Sequence, residues 1–509
     1  MSAADTIPGL VRAAARQYGD AEAVADGERR VSFAGLADLM ASAAAGCVRR
    51  GVEPGDRVAI WAPNSLDWVV AALGAVAAGA ALVPLNTRFK AAEAAWILDR
   101  SRAVLTFVSP PFLGNDYPAM LAGRAGVVIL DPSQWAGDAD PVEREAVERR
   151  IAAIAPGDTA DVIFTSGTTG RPKGVLTTHA QTVRVFDTWA EVVGLRAGDR
   201  YLVVNPFFHT FGYKAGIIAC LLRGATVVPQ PVFDVPVVLD LIERERISVL
   251  AGPPTLFSSI LDAPGRSARD LGSLRLVVTG AAIVPVALVE RLRDELAIET
   301  VLTAYGLTEA TGTVTMCRRG DDPVTIATTS GRAIPDTEVR VVGPDGQPVP
   351  AGEPGEVVVR GYNVMSGYFE DPAATAETID ADGWLHTGDI GVLDRDGNLR
   401  ITDRLKDMYV VGGFNAYPAE IEQLLATHPG IADSAVVGVP DERLGEVGKA
   451  FVVPRPDTTL DPVEIIAWCR PQLANYKLPR SVEVVPSLPR NAAGKVLKFE
   501  LRAGSVGQP

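Results

Sequence analysis

Cysteine and positive charge are scarce in this 509-residue sequence. Its four cysteines form no C-x-x-C pair, which argues against a zinc site or a disulfide frame and favours buried thiols in a reducing compartment. They are Cys47, Cys220, Cys317 and Cys469. The formal net charge of −14 provides no basic surface for nucleic acid. We therefore expect a cytoplasmic protein without a nucleic-acid partner.

No membrane span or secretory leader is expected either. Residues 1–8 are short and polar and lack a basic stretch, unlike a leader. Residues 68–85 are uncharged and long enough to suggest a span. They consist mostly of Ala and Gly, and Gly79 and Pro84 interrupt them. A helix at 65–78 and a strand at 81–85 fit this pattern better.

Up to about residue 335, predicted helices and strands alternate, which indicates parallel sheets covered by helices. The polar, acidic residues 132–148 are predicted to connect subdomains. Two successive sheets of this kind would enclose a cleft. The strands are predicted at 57–61, 81–85, 103–108, 161–164, 201–204, 225–228, 248–250, 274–278 and 300–302, and early helices at 33–50 and 91–99.

The pattern changes after residue 335. Short strands at 337–342 and 356–360, with tight turns at 343–346 and 394–398, predict an antiparallel, barrel-like part. Beyond Arg404, helices at 418–426 and 462–472 mix with strands at 434–439 and 450–453. We predict an α/β fold with an N-terminal domain, 1–403 (sheets about 1–335, barrel-like part about 336–403), and a small α+β C-terminal domain, 404–509.

A glycine-rich loop, T-S-G-T-T-G-R-P-K-G at 165–174, follows the predicted strand at 161–164. Glycines permit turns that side chains forbid, and hydroxyls, backbone N–H groups and a lysine can then wrap an anion. It is not a Walker A loop, which needs G-x-x-x-x-G-K-S/T. A flexible surface turn is the alternative. The candidate phosphate-binding residues are Thr165, Ser166, Gly167, Thr168, Thr169, Gly170 and Lys173.

Three further segments follow predicted strands. His209 lies in an aromatic cluster at 205–212, where core packing is the alternative role. Small residues at 280–282 (Gly280, Ala281 and Ala282) leave space for a flat ligand at a strand's carboxyl end. Residues 304–309 are predicted to form one turn that offers an aromatic face, a hydroxyl and a carboxylate that suits Mg²⁺; the alternative is a helix start capped by Thr308.

Two segments lie near the C-terminus. Asp389 lies in a turn predicted at 387–389, after a Gly-rich, aromatic stretch, and is suited to accept hydrogen bonds from ribose hydroxyls, assisted by Arg404. The alternative for Asp403–Arg404 is a surface ion pair of little energetic consequence. Lys495 follows Gly494 in a polar loop that could deliver an ammonium group to an active site; a solvent-exposed tail is the alternative.

In this order and at these spacings, the segments together resemble the adenylate-forming superfamily of acyl-CoA synthetases, nonribosomal adenylation domains and beetle luciferases. The resemblance covers about residues 7–501, and the loop matches the family pattern T-S-G-S/T-T-G-x-P-K-G at every position. It implies an AMP-forming acyl-CoA synthetase: a carboxylate attacks the α-phosphate of ATP, pyrophosphate leaves, and the thiol of CoA then displaces AMP.

The resemblance also implies roles for single residues. The loop would hold the β- and γ-phosphates, Thr308 would touch phosphate and Glu309 would carry Mg²⁺. Lys495 would meet the carboxylate and the α-phosphate as charge develops. The adenine would contact Gly280, Ala281, Ala282, Tyr305 and Gly306; the ribose would contact Asp389 and Arg404; the acyl pocket would be walled by His209, Phe208 and Phe211.

In such enzymes the C-terminal domain is mobile and rotates between the half-reactions. The hinge position falls on Lys406, two residues after the ribose arginine. Rotation would withdraw Lys495 and present Gly412 and Gly413 to a thiol tunnel, where glycines let the backbone pass close to pantetheine.

Three alternatives remain for the activity. No carrier segment follows Pro509, so we expect free CoA rather than a carrier protein as acceptor. Amino-acid activation is disfavoured because residues 207–222 contain no acid. A catalytically silent nucleotide-binding regulator is disfavoured by the presence of Glu309, Asp389 and Lys495. A homodimer is left open.

The acyl substrate is predicted from residues 207–217, which are aromatic with little polar content. Gly212 and Gly216, four apart, would share a helix face and leave room for a wide acid. The cation Lys214 would either bond a distant ketone or face solvent. We expect a ring-bearing or medium-length apolar acid. The run resembles bacterial ligases acting on the indane propanoate of steroid ring degradation; a medium-chain fatty acid is the alternative.

Overall fold

The structure is a computed structural model that describes residues 5–131, 141–165, 172–280, 284–404, 409–416, 418–456, 458–489, 496 and 498–505. The chain begins with helices and strands in alternation, as predicted. They are α1 (Ile7–Tyr18), β1 (Glu22–Asp26), β2 (Arg29–Ser32), α2 (Phe33–Arg49), β3 (Arg57–Trp61), α3 (Leu66–Ala77), β4 (Ala81–Pro84), α4 (Ala91–Ser101), β5 (Leu105–Val108), α5 (Tyr117–Met120), β6 (Val127–Ile129) and α6 (Pro141–Ala153).

The alternation continues through the middle of the chain. Its elements are β7 (Thr159–Thr165), β8 (Lys173–Thr178), α7 (His179–Val193), β9 (Arg200–Val203), a π-helix (Phe211–Ile218), α8 (Ala219–Arg223), β10 (Thr226–Pro229), α9 (Val235–Arg244), β11 (Val249–Gly252), α10 (Pro254–Leu261), 3₁₀ turns at Arg266–Ala268 and Thr308–Ala310, β12 (Leu276–Gly280), α11 (Val286–Leu296), β13 (Thr300–Tyr305), β14 (Thr315–Met316), α12 (Pro323–Thr328) and β15 (Arg332–Ala333).

Strands dominate the last third. The elements are β16 (Thr337–Val342), β17 (Pro354–Gly361), β18 (Gly367–Tyr368), α13 (Pro372–Thr378), β19 (Leu385–Leu393), β20 (Leu399–Arg404), β21 (Tyr409–Val411), β22 (Phe414–Ala416), α14 (Pro418–Ala426), β23 (Ile431–Asp441), β24 (Gly445–Pro454), α15 (Pro462–Cys469), β25 (Ser481–Val484) and α16 (Lys498–Ser505).

Two large sheets contain most of the strands of the first two thirds. One has nine strands in the order β15-β14-β13-β12-β11-β9-β10-β1-β2, and the other has seven in the order β18-β8-β7-β4-β3-β5-β6. Their central strands pair in parallel, as the alternation predicted. The part predicted as barrel-like is a four-stranded sheet, β16-β17-β19-β20, whose β16, β17 and β19 pair antiparallel. A five-stranded sheet contains β21 to β25.

The chain divides into two compact units. One comprises residues 1–87, 98–163 and 174–402, and the other comprises 88–97, 164–173 and 403–509. Buried apolar residues of the first unit's two large sheets and their helices form one extended core. The second unit has its own core around the five-stranded sheet, with Tyr409, Ile421 and Val436 fully buried.

Helix boundaries follow local capping chemistry. Ser65 caps α3 by accepting a hydrogen bond from the Trp68 N–H, and α7 begins with a capping box between Thr178 and Gln181. Helix α7 ends at Gly194, whose φ of 74° is readily adopted by glycine. The sequence therefore encodes where these helices start and stop.

The Ala- and Gly-rich run at 68–85 forms core and not a membrane span. Helix α3 is buried along its length, and Gly74 approaches α2 so closely that a Cβ there would lie 2.3 Å from the Cβ of Ala43. Small residues are needed for this approach. Within the described part of the chain, no helix combines the length and apolar character needed to cross a bilayer.

Helix α6 contains the second half of the connector predicted at 132–148, and residues 132–140 lie outside the described part of the chain. Helix α6 carries a surface ion pair between Glu145 and Arg149, four residues apart, and buries Val147 and Ile151 at the same spacing. The charged residues concealed this short apolar stripe.

Candidate active site

Strands β12 and β13 end side by side, at Gly280 and Tyr305. Gly280 pairs with Ala304, and a Cβ at position 280 would lie 3.1 Å from the carbonyl oxygen of Ala304. Because glycine has no side chain, it leaves space at this edge of the sheet, next to Tyr305. Tyr305 lies in the strand and not in the predicted turn, because Ala304 and Tyr305 also pair with Met316 and Thr315 of β14.

Tyr305 and Asp389, predicted to contact adenine and ribose, lie together. The phenol of Tyr305 donates a hydrogen bond to Asp389 Oδ2 at 2.6 Å, and Asp389 is only 5% exposed. The Asp389 N–H donates to Thr387 Oγ1 at 3.1 Å, and the Thr387 hydroxyl donates to the Val357 carbonyl at 2.6 Å. The carboxylate is therefore held in a fixed orientation.

The predicted turn around Asp389 is wrong, because Asp389 lies within β19. This strand pairs with β17, and the pairing register shifts between Glu356 and Val358. Gly388 has a φ of 69°, and its N–H donates to Glu356 Oε1 at 3.2 Å. A glycine-dependent irregularity in a strand gave the sequence the appearance of a turn.

Thr308 and Glu309 occupy a 3₁₀ turn that Gly306 and Leu307 separate from Tyr305 at the end of β13. Thr308 does not cap a helix through its side chain, so that alternative fails; its Oγ1 instead accepts a hydrogen bond from Thr210 at 3.4 Å. Glu309 Oε1 accepts from the Tyr368 hydroxyl at 3.2 Å. A carboxylate beside a hydroxyl is a set of hard oxygen donors that suits Mg²⁺. Gly306 is required by the turn itself, because a Cβ would lie 2.1 Å from the Gly312 carbonyl oxygen.

Phe208 and His209 lie between β9 and the π-helix, and Phe211 begins that helix. Phe208 is nearly buried, and Phe211 meets Trp189 edge-on with ring centroids 5.8 Å apart. His209 is exposed, and its Nδ1 accepts from the Phe211 N–H at 3.2 Å, which keeps the proton of a neutral ring on Nε2. In its neutral form His209 thus offers an Nε2–H donor in an aromatic wall.

The predictions made for Lys214 need correction. Its side chain is fully buried, so it does not face solvent. Its Nζ lies 3.0 Å from Asp161 Oδ2 and donates to Thr177 Oγ1 at 2.7 Å. The ammonium that was predicted to bond a substrate ketone therefore binds these protein groups instead. Burial lowers the Lys214 pKa, and the adjacent Asp161 carboxylate opposes that shift.

The space predicted beside Gly212 and Gly216 is filled by protein. A Cβ at Gly212 would lie 2.1 Å from the Pro206 carbonyl oxygen, and one at Gly216 would lie 2.9 Å from Val203 Cγ1. The two glycines let the π-helix pack closely against β9 and the residues that follow it. The expectation that they widen the acyl pocket is therefore wrong.

Asn64 organises the aromatic wall and was not predicted. Its Nδ2 donates to the carbonyls of Val203 at 3.0 Å, Asn205 at 2.9 Å and Gln230 at 3.3 Å, and its Oδ1 accepts from the Phe207 N–H at 2.7 Å. It thereby joins the ends of β9 and β10 to the loop that carries His209. Its partners are 139 to 166 residues away, and neither Asn64 nor Tyr368 has a local sequence signal.

Several predicted residues are not described, or only in part. Thr165 ends β7 and Lys173 begins β8, on either side of the predicted phosphate loop. Gly412 and Gly413 form the turn between β21 and β22 with φ values of 56° and 85°, as in a type I′ hairpin. The side chain of Arg404 lies outside the described set, as do Ser166, Gly167, Thr168, Thr169, Gly170, Ala281, Ala282, Lys406 and Lys495.

Comparison with known proteins gives one family. Residues 11–369 match the AMP-binding enzyme family, and residues 420–495 match the AMP-binding enzyme C-terminal domain. The chain is 52% identical to a 7a-methyl-1,5-dioxo-octahydroindenyl propanoyl:CoA ligase of Rhodococcus jostii and 54% identical to that of Mycobacterium tuberculosis, over 98% of each chain. It is also similar to an o-succinylbenzoate CoA synthetase from Bacillus subtilis, with 29% identity, 97% coverage of both chains and a TM-score of 0.86.

The chain belongs to the AMP-binding enzyme family. The chain is an AMP-forming acyl-CoA synthetase, because the acyl-CoA ligases to which it is similar match it over almost its whole length. It converts a carboxylic acid, ATP and CoA to an acyl-CoA through an acyl-adenylate, as the motif order predicted.

Proposed function

We propose that the acid activated by this enzyme is the indane propanoate of steroid ring degradation, or a close bicyclic analogue. The observation that carries this proposal is the similarity, at 52% and 54% identity over 98% of the chain, to two ligases named for a methyl-dioxo-octahydroindenyl propanoate. That acid bears two fused rings and a short carboxylate side chain, in agreement with the ring-bearing apolar acid expected from residues 207–217.

The chemistry of the aromatic wall supports this substrate. Phe208 and Phe211 offer apolar ring faces, which suit a hydrocarbon ring system. In its neutral form His209 accepts the Phe211 N–H at Nδ1, so its Nε2–H is a donor that suits the polar end of such an acid. Asn64 holds the loop that carries these residues in place.

We assign the nucleotide contacts to the groups around Tyr305. Gly280 and the ring of Tyr305 would flank the adenine, and Asp389, oriented by Tyr305 and Thr387, would accept hydrogen bonds from the ribose hydroxyls. Glu309 would hold Mg²⁺, which supplies charge neutralisation for the phosphates when bound. The loop at 165–173 would hold the β- and γ-phosphates, with Arg404 beside the ribose.

The remaining parts of the proposal concern the setting of the enzyme. All four cysteines are free and buried, which supports a cytoplasmic location. We propose that free CoA is the thiol and that Gly412 and Gly413, in their hairpin turn, pass close to its pantetheine arm. Residues from 404 onwards are proposed to form the mobile C-terminal domain, with Lys406 as hinge.

A panel of acids tests the substrate proposal. We expect kcat/KM for thioester formation to be highest for the indane propanoate and at least about tenfold lower for octanoate and ferulate, because a hydrophobic pocket discriminates by fit of apolar groups. Acetate should be poorer still, since it leaves the aromatic wall uncovered. The measurement is AMP release in the presence of CoA. Preference for acetate, an amino acid or a very long chain would show that the wall was misinterpreted.

Replacing Asp389 tests the ribose contact. Asp389→Ala should raise the Kd for ATP about 10- to 100-fold, because hydrogen bonds to a charged group contribute roughly 1.5–3 kcal/mol. Tyr305→Phe is the matched control: it keeps the ring and the carboxylate but removes the 2.6 Å hydrogen bond, so its effect should be smaller. Calorimetric titration with ATP measures both. Unchanged affinity and unchanged adenylation rate in Asp389→Ala would remove Asp389 from the site.

A further inference from the structure

The buried cluster of Lys214, Asp161 and Thr177 joins three elements beside the proposed site. Lys214 is in the π-helix, Asp161 in β7 and Thr177 in β8. The Thr177 hydroxyl donates to Asp161 Oδ1 at 2.6 Å and accepts from Lys214 Nζ at 2.7 Å, and Nζ lies 3.0 Å from Asp161 Oδ2. The Lys214 and Asp161 side chains are both 0% exposed.

The three elements lead directly to the proposed reacting groups. Asp161 lies four residues before Thr165, and Thr177 lies four residues after Lys173, so their strands carry both ends of the phosphate loop. The π-helix begins two residues after His209 and contains Phe211. Just before it, Thr210 donates a hydrogen bond to Thr308, next to the proposed Mg²⁺ ligand Glu309.

A fully buried ion pair is poorly explained by stability alone. Taking both charges out of water offsets much of their attraction, and apolar replacements of similar volume are often neutral or stabilising. The geometry of the pair is its distinctive property: one ammonium meets two strands at once. Extended π-helices are rare, and π-helical turns are often found at functional sites.

We propose that Lys214 is a positioning residue: it fixes the π-helix and its aromatic wall to β7 and β8, and so sets where the acid lies relative to Thr308, to which Thr210 joins the wall. This inference rests on the proposed function, because it assigns the acid to the wall and the nucleotide to the groups around Tyr305 and Thr308. Lys214 touches neither substrate, and each ligand alone should bind without it.

Lys214→Met tests the proposal, since methionine is long and apolar. We expect the kcat of acid-dependent pyrophosphate exchange to fall about 100-fold, as expected for a displacement of about 1 Å between reacting groups. Kd values for ATP and for the acid, titrated separately, should change less than about threefold. A kcat that stays at the wild-type value, or an ATP affinity that falls with kcat, would overturn the inference.

The double variant Asp161→Asn/Lys214→Met separates position from stability. It leaves no unpaired buried charge and keeps an acceptor for Thr177, so its melting temperature should recover relative to each single variant. Its kcat should remain low, because the link to the π-helix is still missing. Recovery of kcat together with the melting temperature would show a purely structural pair and overturn the proposal.

Arg275→Met is the matched control. Arg275 Nε donates to the buried Asp199 carboxylate at 3.0 Å, and Arg275 precedes β12, at the opposite end of that strand from Gly280. It should lower the melting temperature but leave kcat unchanged. If Arg275→Met lost as much kcat as Lys214→Met, the loss of any buried ion pair would lower the rate, and the inference would be overturned. If the wild-type enzyme shows no pyrophosphate exchange with any acid, the proposed function is overturned and this inference with it. If the wild-type enzyme shows exchange and Lys214→Met shows the same rate, this inference alone is overturned.

Discussion

Lys495→Ala is expected to lower the rate of acyl-adenylate formation by at least about 100-fold, a loss typical of removing a preorganised group that stabilises developing charge. The resemblance to the family implies that this lysine would meet the carboxylate and the α-phosphate, where negative charge redistributes only in the first transition state. An interaction made only there raises kcat and not ground-state binding. Thioester formation from supplied acyl-adenylate should therefore remain close to the wild-type rate.

Lys449→Ala is the control for the loss of a lysine from the same part of the chain. Lys449 Nζ lies 2.8 Å from Glu483 Oε2, and this partly exposed ion pair contributes little to the stability of the fold. Pyrophosphate exchange and single-turnover CoA transfer, measured on each variant, compare the two half-reactions. If Lys495→Ala slowed both half-reactions equally, Lys495 would not be specific to adenylation.

Lys406→Pro should have the opposite profile. Proline fixes φ near −65°, so a residue that must change its backbone conformation between the half-reactions would be held in one state. Adenylate should accumulate at the normal rate, while CoA transfer should fall by at least about 100-fold, as expected when reacting groups are not brought together.

Lys406→Ala provides the comparison for the hinge, because it removes the same charge and keeps φ free. It should turn over almost normally. Burst kinetics of AMP formation against acyl-CoA release distinguish the variants. Normal overall turnover by Lys406→Pro would mean that the hinge lies elsewhere.

The order of elements could be predicted from the sequence because local patterns encode it. Short apolar runs that alternate with stretches of helical periodicity predict parallel strands connected by helices. Ser65, Thr178 and Gly194 mark helix ends because each caps a helix. Helix α6 was missed because its apolar stripe of Val147 and Ile151 is short and is surrounded by charged residues.

The meeting of distant groups could not be predicted. Lys214 reaches Asp161, 53 residues earlier in the chain, through pairing between strands and the packing of a π-helix, and no local pattern specifies that contact. Gly212 and Gly216 were interpreted as open space because the sequence does not show what faces them; the backbone at Pro206 and the side chain of Val203 do. The partnership of Tyr305 with Asp389 followed from the family resemblance only as two separate contacts to one nucleotide.

The most direct test of the account is acid-dependent ATP–pyrophosphate exchange by the wild-type enzyme with the indane propanoate, first without CoA and then with it. We predict exchange that requires both the acid and Mg²⁺, and after addition of CoA one AMP released for each acyl-CoA formed. Release of ADP and phosphate, or exchange that is independent of any acid, would contradict the assignment of an acyl-adenylate mechanism to this chain.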